Sequence, residues 1–120
     1  MKFKVVEPLS IDESAEGGGA LLTVNGRVTI DSSPVLRDRV HAILERKSIP
    51  VLTIDLSAVP YVDASGLATL VEALKIARSN KTTLRLRLHE RPRYLLEVTG
   101  LLSFFESPRD VSANTVSKDT

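Results

Sequence analysis

Five consecutive residues, Asp63-Ala64-Ser65-Gly66-Leu67, hold the densest chemistry in this sequence. They follow a strand-like run ending at Ser57 and a turn through residues 58–62, and they open an apolar run of helical period. An aspartate in that place caps a helix. Ser65 then falls in the first turn, where backbone N–H groups lack partners and the helix dipole is positive, so a phosphate on its hydroxyl is tolerated apart from repulsion by Asp63. Gly66 reads as a position where the backbone stays open to the close approach of a kinase or partner surface. By residue type alone, the same residues also make an ordinary helix cap, and both readings stand.

Other chemistries fail on spacing. A nucleophile elbow needs glycine at position 63, where this chain has Asp63, and the only histidines to serve as base are His41 and His89. The Gly17-Gly18-Gly19 cluster lacks the Lys and Ser/Thr of a phosphate loop and the spacing of a dinucleotide fingerprint. There is no cysteine, and the two histidines stand at no metal-ligand spacing, so no cofactor and no metal are expected. The reading is of a protein that is not an enzyme.

Composition narrows the partners. At 120 residues and 13.1 kDa the chain is one domain, and 42% apolar residues suffice for a core. Sixteen Lys and Arg against 15 Asp and Glu give no basic field, and 4% aromatic residues form no stacking stripe, so nucleic acid is not an expected partner. No apolar run approaches the roughly 20 residues that cross a bilayer, and MKFKVVEP is too short and polar for a secretory signal. A soluble cytoplasmic protein without membrane insertion is expected.

The elements that position residues 63–67 follow from periodicity. Residues 2–7 suggest a short edge strand ending at Pro8, and residues 10–19 (SIDESAEGGG) read as a flexible, acidic, glycine-rich loop. Strands are expected at 20–28, 50–57 and 83–89; in the last two, Leu52, Ile54, Leu56 alternate with Thr53 and Asp55, and Leu84, Leu86, Leu88 with Arg85 and Arg87. A helix capped by Ser33, with Pro34 at its first position, carries Leu36, Val40, Ile43 and Leu44 on one stripe. A second, over 65–80, carries Leu67, Leu70, Val71, Leu74 and Ala77, with Thr69, Glu72 and Lys75 turned away. A third starts near Pro92 and stops at Gly100. Strands alternating with helices imply parallel pairing through right-handed crossovers, and alternating strands imply helices on one face only. The expected fold class is α/β: one domain with a mostly parallel sheet, helices packed on one face and an N-terminal edge strand. Phe104 and Phe105 should dock the last segment, Tyr61 and Tyr94 should be half-buried, and 107–120 should be a polar disordered tail.

The run IDLSAVPYVDASGLATLVEALKIARSNKTTLRLRL, with the closing LLEVTGLLSFFE, resembles the STAS domain, in particular the bacterial anti-sigma-factor antagonists. Those share a strand-DLS-x-V-x-x-D-S-S-G-L-helix signature, a helix lysine (here Lys75) and a closing L-E-x-T-G-L-x-x-x-F; the likeness covers residues 20–106. It implies a STAS-like domain over 1–106 and a partner-switching module in transcription regulation. The second serine of the motif, here Ser65, would be phosphorylated by an anti-sigma factor with serine-kinase activity and reset by a serine phosphatase. Unphosphorylated, the protein would bind that kinase and release a sigma factor. Asp63, Ala64, Ser65, Gly66, Thr29 and Asp31 would form the partner-binding surface. Two departures stand out: Ala64 replaces the first serine, and Thr29 occupies the place, three residues after Gly26, where the family often has an aspartate, with Asp31 two residues on. STAS domains also resemble a non-phosphorylated accessory subunit of a lipid-transport ABC complex and stressosome-type scaffolds.

Overall fold

The computed structural model describes residues 9–46 and 48–105. Four strands, β1 (Ser10–Glu16), β2 (Gly19–Asn25), β3 (Val51–Leu56) and β4 (Thr83–Leu88), form one sheet in the order β1-β2-β3-β4. The first pair is antiparallel and the other two are parallel. Between and after them run α1 (Ser33–Leu44), α2 (Ala64–Ser79), α3 (Glu90–Val98) and the single turn α4 (Leu102–Phe105).

The parallel register brings the alternating residues into rows. Ala20 and Leu22 lie beside Leu52 and Ile54, which lie beside Leu84 and Leu86. This face is buried under the stripe of α1 (Leu36, Val40, Ile43, Leu44) and that of α2 (Leu70, Ala73, Leu74, Ala77). The opposite face aligns Leu21, Thr53 and Arg85, then Thr23, Asp55 and Arg87. There Arg87 is 2.9 Å from Glu16 and 3.8 Å from Asp55. Thr53 is buried, although it stands on the polar side of the alternation in β3, a face expected to lie at least partly in water or against another protein. A threonine packs on a pleated surface like valine, so its neighbours close over it.

Several expectations are corrected. The stretch 10–19 is no loop: residues 10–16 pair in an antiparallel ladder with β2, from Ser10↔Asn25 to Glu16↔Gly19. The two residues between them, Gly17 and Gly18, take φ of 55° and 85°, the left-handed pair that a tight hairpin turn requires. Glu13 gives β1 a second anchor, taking both guanidinium nitrogens of Arg46 at 2.7 and 3.1 Å. This strand is the N-terminal edge strand, whereas the one expected over 2–7 lies outside the described residues, as does the tail at 107–120.

The cap of α1 falls on Ser32 rather than Ser33, whose side chain is buried. Thr69 is buried too, because its hydroxyl donates to the Ser65 carbonyl at 3.0 Å and leaves only a methyl to pack. The third helix starts at Glu90, capped by His89, ahead of Pro92. Phe105 is buried in the core, while Phe104, Tyr61 and Tyr94 are exposed. Because Leu70 is 1% exposed within the α2 stripe, Leu70→Ala is expected to cost about 2–5 kcal/mol in chemical denaturation. A negligible loss would place that stripe off the core.

Candidate functional site

The chain leaves β2 at Asn25 and turns through residues 26–32 before α1. It leaves β3 at Leu56 and reaches α2 through residues 57–63. A single parallel bridge, Val28↔Val62, joins the two connections: the Val28 amide donates to the Tyr61 carbonyl at 3.1 Å and the Asp63 amide to the Val28 carbonyl at 3.0 Å. Val28 and Val62 are both buried, so the bridge is anchored in the core.

On that bridge stands the N-terminus of α2. Asp63 caps it from extended backbone, as expected, and one oxygen of its carboxylate accepts from the Ser65 amide at 2.9 Å and the Gly66 amide at 3.2 Å. The same oxygen accepts the Ser65 hydroxyl at 2.6 Å. Its other oxygen takes the amide of Ile30 at 3.0 Å, 33 residues back along the chain. These donors, the Ser65 hydroxyl foremost, hold the Asp63 carboxyl below the usual carboxylate range, against the opposing effect of desolvation. At neutral pH the residue is an anion whose lone pairs are engaged by four donors.

Gly66 does something other than expected. It is buried, and a Cβ there would sit 2.6 Å from Cγ1 of Val28 and 2.6 Å from Cγ1 of Val62. Only a residue without a side chain lets α2 rest on the bridge. Gly66 therefore supports the site from beneath and offers no surface to a partner, which corrects its assignment as a contact residue.

The other sequence-derived residues divide cleanly. Ala64 is exposed and Ser65 half-exposed beside it. Thr29 is half-buried and closes its own turn: its amide donates to the Ser32 hydroxyl at 2.9 Å, and its hydroxyl accepts the Asp31 amide at 3.2 Å. Asp31 is exposed, and between the two lies Ile30, whose side chain is 72% exposed. Sequence reasoning did not single out Ile30, and it expected Tyr61 to be half-buried; Tyr61 is instead exposed before the cap, with Arg27 stacked 4.6 Å from its ring centre. Among the described residues no group of His, Asp and Glu converges that could hold a metal ion, and no helix is long and apolar enough to cross a membrane.

Comparison with known proteins bears on this arrangement. A family model described as "Mlab, STAS domain" matches residues 11–104. An anti-sigma-B factor antagonist of Listeria monocytogenes is 33% identical over 84 residues, which are 69% of this chain and 73% of that protein. An anti-sigma factor antagonist from Mycobacterium paratuberculosis shares the fold at a TM-score of 0.70 and 23% identity, over 84% of this chain and 87% of its own. The unphosphorylated form of SpoIIAA from Bacillus matches at a TM-score of 0.68 and 8% identity, over 92% of this chain and 100% of its own. At such identities the two structures speak for the fold alone.

Two outcomes follow from the geometry. Gly66→Ala forces a methyl against Val28 and Val62 and is expected to cost about 1–3 kcal/mol in denaturant unfolding; an unchanged midpoint would mean that α2 does not rest on the bridge. The Asp63 carboxyl titrates lower in the folded chain than in the unfolded one. Its contribution is therefore complete above the ordinary carboxylate range and is lost as pH falls through its lowered folded value. Asp63→Asn keeps a cap oxygen but does not titrate, so its melting temperature should fall less steeply than wild type on acidification. Parallel melting curves against pH would contradict this.

Proposed function

This chain belongs to the STAS domain family, and from that membership we propose that it is an anti-sigma-factor antagonist that works by partner switching at Ser65. Its role is regulatory rather than enzymatic. The unmodified protein binds an anti-sigma factor that is also a serine kinase, and a sigma factor is thereby released. The kinase transfers the γ-phosphoryl group of ATP to Ser65: a bond forms between Oγ and phosphorus, the bond to ADP breaks, and the hydroxyl proton is released. A serine phosphatase reverses the modification by hydrolysis. The cytoplasm, where ATP and the transcription machinery are found, is the place this reading gives it.

The observation that carries the reading is the placement of Ser65 in the first turn of α2. Its hydroxyl is held at 2.6 Å by a carboxylate, and exposed Ala64 lies beside it. With alanine at position 64, Ser65 is the one hydroxyl of the motif. A phosphoryl group adds about 1.5 to 2 negative charges there, and a surface that must be desolvated to bind a partner tolerates such charge poorly. Exposed Asp31, in the neighbouring turn, supplies the acidic contact at a position shifted from Thr29. Gly66, being buried, takes no part.

A second reading rests on the same bond. A hydroxyl already engaged by its cap can simply complete the helix start, and an accessory STAS subunit of a lipid-transport complex or a scaffold needs no more. The two readings separate on incubation of the protein with ATP and the serine-kinase anti-sigma factors of its own organism, followed by intact-mass analysis. One added phosphate, absent from Ser65→Ala, is the expected result. No added mass, together with a stable complex to a transporter ATPase or scaffold partner, would overturn the switch in favour of the second reading.

A further inference from the structure

The Asp63 carboxylate faces two ways, and this points to a consequence of modification beyond the added charge. One oxygen holds the start of α2 and the Ser65 hydroxyl; the other holds the Ile30 amide. Ile30 needs such a tether. Its side chain is the most exposed of the large apolar residues described, at 72%, and it lies outside the buried core cluster. An apolar side chain presented to water on a turn that is bonded to the cap of the Ser65 helix can serve as an interface anchor.

We infer that Asp63 is a positioning residue that couples Ser65 to Ile30: in the unmodified chain it fixes Ile30 as the apolar anchor for the kinase, and phosphorylation of Ser65 releases it. This rests on the partner-switching reading and specifies how the switch is transmitted. Phosphoryl transfer replaces the Oγ–H bond with Oγ–P, so Asp63 loses its shortest hydrogen-bond donor, 2.6 Å away. A dianion takes the place of that donor beside a carboxylate already negative. The carboxylate turns from the phosphate, and of its remaining bonds the one to Ile30 is the most vulnerable. The Ser65 and Gly66 amides lie within the same helix turn, whereas Ile30 reaches it from an exposed turn of a separate segment. The partner that fits is accordingly one with an apolar pocket beside its phosphoryl-transfer site.

Two variants separate these roles. Asp63→Asn retains one oxygen to cap α2 but presents an NH2 group in place of the second acceptor, so the Ile30 tether is lost while the cap persists. Ser65→Asp places a negative charge by the cap without any kinase. In both, the Ile30 amide is expected to exchange with solvent about tenfold or more faster than in wild type, while amides of Leu52 and Ile54 in β3 are unchanged. Ile30→Ala, which alters no residue of the buried core, is expected to weaken binding of the kinase identified by mass analysis at least about tenfold, with no change in melting temperature. Unchanged Ile30 exchange in Ser65→Asp would overturn the coupling, and wild-type kinase affinity of Ile30→Ala would overturn the anchor. Failure of any kinase to modify Ser65 would instead sink the partner-switching reading, and the exchange comparison, which uses no kinase, tells the two apart.

Discussion

The site depends on one carboxylate. Without Asp63 the first turn of α2 has unpaired amides, Ser65 has no fixed rotamer, and the turn at residues 29–31 has no bond to the β3–α2 connection other than the Val28 bridge. A neutral acceptor satisfies fewer donors less strongly, since hydrogen bonds to an ionised group are about twice as strong as neutral ones. The fold secures that anion by giving it several donors on an open surface rather than a cation in a buried pocket. Ser65 lies next to it without any positive residue within its bonding circle.

Beneath the carboxylate the support is steric. Val28 and Val62 form a small platform at the edge of the core, and α2 reaches it only because Gly66 has no Cβ. The Asp-x-Ser-Gly sequence thus combines two requirements met on opposite sides of one helix turn. Its polar residues act outward and its glycine acts inward. Reading all of them as a surface was the natural error, because a short sequence motif does not say which way each residue faces.

What was legible in the sequence was whatever depends on local period. The stripes of α1 and α2 and the alternating strands β3 and β4 could be read because apolar residues recur at 3.6 or 2 and polar ones do not. The cap at Asp63 was legible for the same reason, as it begins such a stripe. β1 was not, since SIDESAE has almost nothing to bury and owes its strand to its ladder with β2 and to a bond from Arg46, 33 residues away. Thr53 and Thr69 were misplaced because a hydroxyl that is bonded or packed no longer behaves as a polar group. Ile30 could not have been found: an exposed isoleucine in a turn acquires meaning only from an amide bond to a residue in another segment.

The glycine pair at the β1–β2 turn bears on time as well as shape. It keeps the pairing of the strands on either side of it local: residues 10–16 meet residues 19–25 with two residues between, and hairpins close in about 1–10 μs. The parallel pairs must wait, because residue 20 meets residue 52 and residue 51 meets residue 83 only after a helix has been formed and folded back. The sheet thus combines one pairing that is local in sequence with two that each span a crossover helix. The strand that links the two kinds of pairing is β2, with the acidic edge strand along one side and β3 along the other.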